Sequence, residues 1–140
     1  MNTFPLTIVT PDGVQFDGQA QELIVRTTVG DMGILAGHIS TVAALGMGQA
    51  TVLADGQRRY GACIGGMLSV VDGKVTLVPT TFEWAEGIDV KRADESRQRA
   101  EKILADKTAS DTELRLAEAR LKRALIRTSV ASRAAGTLGK

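Results

Sequence analysis

The sequence predicts an α+β protein in two parts: an N-terminal all-β flattened sandwich or barrel, followed by a C-terminal antiparallel hairpin of two helices. All three prolines, 13 of the 15 glycines and all five aromatic residues lie at or before Gly87. Between residues 88 and 135 there is neither glycine nor proline, and good helix formers dominate. We therefore predict a β-domain over residues 1–86 and a helical domain over residues 87–140.

Short runs of β-favouring residues alternate with turn signals along the first part. The runs cover residues 6–9, 22–27, 49–53, 67–71 and 74–78. Asp-Gly pairs at 55–56 and 72–73 supply the positive φ angles that a tight hairpin turn requires. Because short antiparallel strands must bury one face against another sheet, they favour a sandwich or a flattened barrel.

The second part predicts two helices, at about residues 89–105 and 111–134. Ser110 and Glu113 form a Ser-x-x-Glu capping box that opens the second helix. Apolar residues recur at steps of three and four along it: Leu114, Ala117, Leu121, Ala124, Thr128 and Ala131. The first helix has a thinner stripe of Ala93, Ala100, Ile103 and Leu104.

The predicted hairpin has little to hold it closed. Burying a Leu or Ile contributes about 1.5–3 kcal/mol, whereas ordering one backbone residue costs about 1–2 kcal/mol. Few large apolar residues are available in this part of the chain. We therefore expect a mobile hairpin that depends on the β-domain, a ligand or a partner.

Charge is divided between the two parts. Residues 1–87 contain four basic and eight acidic residues, a balance of −4, whereas residues 88–140 contain 13 and eight, a balance of +5. No apolar run approaches the ~20 residues that span a bilayer. The N-terminus has no secretory signal pattern, and the single cysteine excludes an internal disulfide. A cytoplasmic location is the default expectation.

Catalysis has little support in the sequence, because His38 is the only histidine and no hydrolase, zinc or redox motif occurs. His38 is either a lone general base or, as we favour, a structural or interface residue. A phosphate-binding loop needs Ser or Thr after its Gly-Lys pair, but Val75 follows Gly73-Lys74. The sequence therefore has no phosphate-binding loop there. Gly65-Gly66 favours a bend or a close approach of strands. We interpret Cys63 as a small residue within a strand.

Arginines accumulate on one face of each predicted helix. The first helix has Arg92 and Arg99, and the second has Arg120, Arg123 and Arg127. Like charges at such spacings cost about 0.2–0.5 kcal/mol per pair, so the face is either solvated or binds an anion. If the hairpin folds about residue 108, Arg92 lies next to Arg123. Arg92 and Arg99 are then about 10 Å apart, which is comparable with the span of a triphosphate.

Two other interpretations of the basic hairpin stay open from spacing alone. In one, Asp89 is the N-cap of the first helix and pairs locally with Arg92, and the other arginines are solvated. In the other, the hairpin tracks the phosphates of a nucleic acid. The acidic residues along both helices and the lack of stacking aromatics argue against nucleic acid as a partner.

Two stretches resemble a known family. Residues 30–38, Gly-Asp-Met-Gly-Ile-Leu-Ala-Gly-His, resemble its G-E/D-x-G-I-L-x-G-H loop. Residues 88–93, Ile-Asp-Val-Lys-Arg-Ala, fit the I/L-D-x-x-R-A motif associated with ATP binding in its Bacillus-type members. The family is the epsilon subunit of bacterial F-type ATP synthases, and the resemblance covers nearly the whole chain.

The resemblance implies a non-catalytic rotor subunit. Its β-sandwich is expected to sit on the gamma subunit and to touch the c-ring, with Asp31 and His38 as subunit-interface residues. The helices are expected to fold with ATP bound or to extend towards the alpha and beta subunits and restrain hydrolysis. The implied location is the cytoplasmic face of the bacterial plasma membrane, as a peripheral part of the complex with only indirect membrane contact.

The resemblance also implies a set of ATP-binding residues, with no catalytic residue and no bound metal. The set is Glu83, Ile88, Asp89, Arg92, Ala93, Arg99, Arg123 and Arg127. Glu83 and Asp89 are expected on the adenine or ribose side, and the arginines on the phosphates. No cofactor is required; ATP is expected as a regulatory ligand, and a role for Mg²⁺ is left open.

The chain departs from the family pattern at a few positions. Ser40 and Ala44 stand where many relatives have proline, and Leu116 stands where some ATP-binding relatives have a basic residue. The alternative function is therefore an inhibitory epsilon subunit that has the motif but no response to ATP.

Overall fold

A computed structural model describes residues 2–138, with side chains described over residues 2–133. The chain divides into two compact units, Met1–Trp84 and Ala85–Lys140. We call them the sheet unit and the helical unit. In the described part of the sheet unit the strands are β1 (Phe4–Thr10), β2 (Gly13–Ala20), β3 (Glu22–Thr27), β4 (Gly30–Ile34), β5 (Thr41–Ala44), β6 (Met47–Ala54), β7 (Gln57–Val71) and β8 (Lys74–Trp84).

The strands follow the order β2-β1-β8-β7-β6-β3-β4, and β5 pairs with β7 off this path. β1 and β8 are parallel, whereas the other pairs are antiparallel. Each run predicted from the sequence lies within a strand. β2, β4 and β5 were not predicted, because β2 and β4 combine glycines with Asp17 or Asp31 and β5 has only four residues.

β7 bends at Gly65-Gly66, as the sequence predicts. Both glycines have positive φ angles, 65° and 101°, and a Cβ on Gly66 would overlap the carbonyl oxygen of Val78. Before the bend β7 pairs with β6, and after it with β5. The strands therefore enclose a sandwich core, which contains Phe4, Leu6, Ile8, Leu23, Val25, Ile34, Val52, Leu68, Val70, Val75 and Leu77.

The two predicted hairpin turns are confirmed. Asp55 and Gly56 have φ angles of 51° and 75°, and Asp72 and Gly73 have 50° and 80°. The residues flanking each turn are paired across it, so each Asp-Gly pair forms the two-residue turn between neighbouring strands.

The helical unit begins with a 3-10 helix, Ala85–Gly87, and continues with α1 (Val90–Ala105) and α2 (Asp111–Leu138). The predicted capping box is formed: Ser110 N donates to Glu113 Oε1 at 3.2 Å, and Glu113 N donates to Ser110 Oγ at 3.1 Å. α1 packs against α2. The buried residues of the described helices are mostly alanines seven residues apart, Ala93 and Ala100 in α1 and Ala117, Ala124 and Ala131 in α2, together with Val130.

Candidate nucleotide-binding and subunit-contact sites

α1 begins at a capped N-terminus. Asp89 has φ −80° and ψ 97°, and its Oδ1 accepts a hydrogen bond from Arg92 N at 3.0 Å. The interpretation of Asp89 as an N-cap is thus confirmed. The resemblance assigns the same carboxylate to the adenine or ribose side of ATP. In this structure its Oδ1 caps the helix.

The charge of the first turn of α1 is unusual for a helix N-terminus. The turn contains no acidic residue but has Lys91 and Arg92, although free N–H groups and the helix dipole favour negative charge there. α2 has the usual arrangement, with Asp111 and Glu113 in its first turn. The positive charges of Lys91 and Arg92 are opposed by the capping carboxylate of Asp89 and, one turn later, by Asp94 and Glu95.

Three of the four arginines assigned to ATP, Arg92, Arg99 and Arg123, are exposed, and Arg127 is half-buried. The Nε atom of Arg127 is buried. Helix periodicity places Arg92 and Arg99 on one face of α1. Arg120, Arg123 and Arg127 share one face of α2 in the same way, so both helices present exposed guanidinium groups.

Glu95, which the sequence analysis did not weigh, and Leu116 both modify this face. Glu95 lies three residues after Arg92 and four before Arg99, so it shares their face. Leu116 is 54% exposed and lies four residues before Arg120 on the arginine face of α2. A carboxylate and an apolar side chain therefore adjoin the predicted phosphate contacts.

Arg97 was missed by the sequence analysis. Its guanidinium binds Asp94 Oδ1 at 2.8 Å and Glu101 Oε1 at 2.7 Å, and these hydrogen bonds raise its pKa above the usual value. The i,i+3 and i,i+4 spacing of opposite charges was the available signal. This network occupies Arg97 on another face of α1 than Arg92 and Arg99.

Ile88 and Ala93 are both buried, at 8% and 0% exposure. In this structure they pack within the protein, so any contribution to ATP binding would come through backbone position. Glu83 lies in β8, paired with Ala62 in register, and belongs to the sheet unit. The other seven predicted ATP residues belong to the helical unit.

The predicted subunit-contact loop is a strand followed by a turn. Asp31 lies near the start of β4, and its Oδ1 is 3.4 Å from Arg26 Nε. His38 lies in the turn beyond the other end of β4, where its N donates to Leu35 O at 3.2 Å. Its Nδ1 donates to Ile39 O at 2.8 Å. The structure therefore separates these two residues by the length of β4.

Both interface candidates lie beside exposed groups. The ion pair of Asp31 is solvated, with 66% of the Asp31 side chain and 50% of the Arg26 side chain exposed, and such pairs contribute only about 0–1 kcal/mol. Leu35 and Ile39, which flank the His38 turn, are exposed large apolar residues. The turn thus presents apolar groups that a partner could cover.

Cys63 lies on β7 and is buried, as expected for a small strand residue. Burial raises the pKa of its thiol to about 12, so the thiol stays protonated near neutral pH. Within the described residues, no group of three or more His, Cys, Asp or Glu side chains is arranged to hold a metal ion. In the same part of the chain, no helix has the length and apolar character to span a bilayer.

The chain thus joins a β-sandwich to a basic helical hairpin, and both units have exposed candidate contact residues. Residues 3–85 match the model of the ATP synthase delta/epsilon chain β-sandwich domain, and residues 86–132 match that of its long α-helix domain. The chain belongs to the ATP synthase delta/epsilon chain family. It is accordingly a subunit of that enzyme and not an enzyme by itself.

Curated relatives match along almost their full length. The ATP synthase epsilon chain of Ruminococcus albus is 42% identical over 95% of this chain and 99% of its own. That of Bacillus velezensis is 44% identical over 94% and 98%. A chain in a cryo-EM structure of the Euglena gracilis mitochondrial ATP synthase, with OSCP, F1 and c-ring, has a TM-score of 0.79 at 24% identity, covering 95% of this chain and 81% of that one. This last likeness supports the fold alone.

Proposed function

We propose that this chain is a central-stalk subunit of a bacterial F-type ATP synthase, in contact with the gamma subunit, the c-ring and the alpha and beta subunits. The observation that carries the proposal is the match of both units to epsilon chains over almost the whole sequence. Its location is then the cytoplasmic face of the plasma membrane, held there by the complex.

The surface of the sheet unit supports contact with another subunit. Alternate residues of β5, β7 and β8 point outwards, and pairing aligns Ala44 with Met67 and Met67 with Val78. Val42, Met67, Val71 and Val78 are all exposed large apolar residues. Apolar residues that adjoin one another on a sheet face are typical of interaction sites, and we assign this face to the gamma subunit.

Co-purification with the gamma subunit tests this assignment. Val78→Glu places a charge on the apolar face and is expected to abolish recovery of a gamma complex. Val14→Glu is the matched control, because Val14 is exposed on the edge strand β2, away from this face. Equal recovery of gamma with both variants, each folded by circular dichroism, would rule out the assigned face.

The helical unit is proposed to bind ATP in its folded state. Arg92, Arg99, Arg123 and Arg127 would hold the phosphates, since the guanidinium group suits phosphate oxygens. Asp89 would serve the nucleoside side. The repetition of arginines on one face of each helix supports an anion here.

Calorimetric titration with ATP tests the site. Arg92→Ala and Arg123→Ala should each weaken binding, whereas Arg115→Ala should not, because Arg115 is exposed on a different face of α2. Equal affinity in all three variants would show that Arg92 and Arg123 do not contact ATP. If the unmodified chain does not bind at millimolar ATP, ATP is not its ligand.

ATP would regulate the synthase by stabilising the folded hairpin. The seam between α1 and α2 is made largely of alanines, and each buries little apolar area, so a modest ligand contribution can decide between folded and extended helices. The alternative, an inhibitory subunit without an ATP response, is favoured by Leu116 and Glu95 beside the arginines. Hydrolysis assays of the assembled synthase that vary ATP separate the two, since only the first predicts inhibition that ATP relieves.

A further inference from the structure

Asp31 lies on a hairpin whose turn is closed by hydrogen bonds. Thr27 at the end of β3 is paired with Gly30 at the start of β4, so the turn contains only residues 28 and 29. The buried Thr27 donates from Oγ1 to the carbonyl oxygen of Gly30 at 2.7 Å, and the same Oγ1 accepts from Val29 N at 3.2 Å. The backbone of Asp31, which directly follows Gly30, is therefore held in place.

Arg26 is the cross-strand partner of Asp31, and its side chain lies against two glycines at the start of β6. A Cβ on Gly48 would lie 2.7 Å from Arg26 Cβ and 3.1 Å from its Cγ, and one on Gly46 would lie 3.4 Å from the same Cγ. Neither glycine has a positive φ angle, so the backbone conformation does not require glycine at these positions. At Gly48 the requirement is the space that the Arg26 side chain occupies.

This packing places the charged end of Arg26 beside Asp31, with Arg26 Nε 3.4 Å from Asp31 Oδ1. Because the pair is solvated it adds little to the stability of the fold, and its main effect is on the direction of the carboxylate. A side chain that is restricted before association loses less rotamer freedom on binding. Since 66% of the Asp31 side chain is exposed, its carboxylate can accept a further hydrogen bond from a partner.

We infer that Arg26 is a positioning residue for the contact between Asp31 and the c-ring. Packed on Gly48, Arg26 orients the Asp31 carboxylate, which accepts a hydrogen bond from a donor group on the ring. This inference rests on the proposed contact of the subunit with the c-ring and names the residue that prepares that contact. Arg26 acts through Asp31 and needs no contact of its own with the ring.

Nuclear magnetic resonance of the full chain, without any partner, tests the orientation. The Hα–Hβ coupling constants of Asp31 report the populations of its χ1 rotamers. One rotamer should dominate in the unmodified chain, and the couplings should become averaged in Arg26→Gln. Arg58→Gln is the matched control, because it removes an exposed arginine from β7 and should leave Asp31 unchanged. Equal Asp31 couplings in the unmodified chain and in Arg26→Gln overturn the inference.

Gly48→Ala separates the position of Arg26 from its charge. Both charged groups remain, but the new Cβ would collide with Arg26 Cβ, so the Asp31 couplings should become averaged as in Arg26→Gln. Gly33→Ala is the control, since a Cβ there meets nothing within 4 Å. Unchanged couplings in Gly48→Ala contradict the role of Gly48. If Gly48→Ala does not fold, Arg26→Gln decides, because it changes an exposed side chain.

Titration of the complex between this chain and the gamma subunit against purified c-ring measures the effect on binding. Asp31→Ala should weaken binding, and Arg26→Gln should weaken it by up to about fivefold. The double variant should bind like Asp31→Ala, because no carboxylate is left to orient. An equal further loss from Arg26→Gln in the Asp31→Ala background, or no effect of Asp31→Ala, overturns the inference.

The two experiments distinguish failure of this inference from failure of the proposed function. If the unmodified complex does not bind the c-ring, the proposed contact with the ring is refuted. The Asp31 couplings of the free chain then decide by themselves whether Arg26 orients the carboxylate.

Discussion

The arginine face of α1 contains one carboxylate, that of Glu95. A phosphate bound between Arg92 and Arg99 would lie near this group, and like charges repel even at exposed sites. The spacing of the arginines therefore favours a bound phosphate at this face, whereas the negative charge of Glu95 opposes it.

We predict that Glu95→Gln strengthens ATP binding. Removing a repulsion of up to about 1 kcal/mol at an exposed site corresponds to an affinity gain of up to about fivefold. Calorimetry at low salt measures the change, and Glu118→Gln on α2, away from the arginine face, is the control. Equal gains in both variants would indicate a general charge effect and not a local site.

Cys63 gives a prediction about pH. Its pKa is about 12 in the folded chain, against an ordinary value of 9.0, so above pH 9 the unfolded state loses a proton that the folded state retains. The free energy of unfolding should therefore fall as pH rises from about 9 towards 12. Denaturant titrations across that range measure the slope, which should be smaller in Cys63→Ala; an identical slope in that variant would place its origin elsewhere.

At the scale of single elements, the turn between α1 and α2 is built from local hydrogen bonds. Asp106 Oδ1 accepts from Thr108 N at 2.8 Å and from Thr108 Oγ1 at 2.7 Å, and these bonds lower the pKa of its carboxyl group. The capping box of Ser110 and Glu113 follows directly. These local hydrogen bonds thus help to set the start of α2.

We predict that Ser110→Ala destabilises the helical unit by about 1 kcal/mol, because Glu113 N loses its acceptor. Thermal loss of helical circular dichroism measures this. Thr112→Ala, in the exposed first turn of α2, is the control and should change the midpoint little. A larger effect in Thr112→Ala would show that the cap is not what stabilises the helix start.

The bend in β7 gives a second prediction at this scale. Gly66→Ala should destabilise the sheet unit by at least about 2 kcal/mol, because a positive φ is costly for alanine and its Cβ meets the backbone of β8. Gly33→Ala on β4 is the control, since a Cβ there meets nothing within 4 Å. Denaturant unfolding of both variants makes the comparison, and similar midpoints would show that the bend adjusts.

Local signals predicted the elements that depend on local chemistry. The Asp-Gly turns, the Gly65-Gly66 bend and the capping box all have residue-specific backbone requirements, so they could be found in the sequence. β2 and β4 could not, because these edge strands form through pairing with β1 and β3 despite their glycines and aspartates. The same holds for the candidate site. The role of Asp89 as an N-cap could be predicted from the sequence, whereas the burial of Ile88 and Ala93 could not, because it depends on packing.

At the scale of the whole molecule, the division of charge matches the division into units. The acidic first part of the sequence forms the sheet unit, with its continuous apolar core, and the basic second part forms the helical unit, with an alanine seam. The sheet unit is therefore expected to be the stable part of the subunit, and the helical unit the part that responds to ligands and partners.

The most direct test of the account is an ATP titration of the full chain followed by its amide nuclear magnetic resonance spectrum. We predict saturable shifts in residues 88–93 and 120–127, with the core strands β1 and β3 unchanged and the shifts strongly reduced in Arg92→Ala. A spectrum that does not change at millimolar ATP, or that changes mainly in the core strands, would contradict the proposed ATP-responsive hairpin.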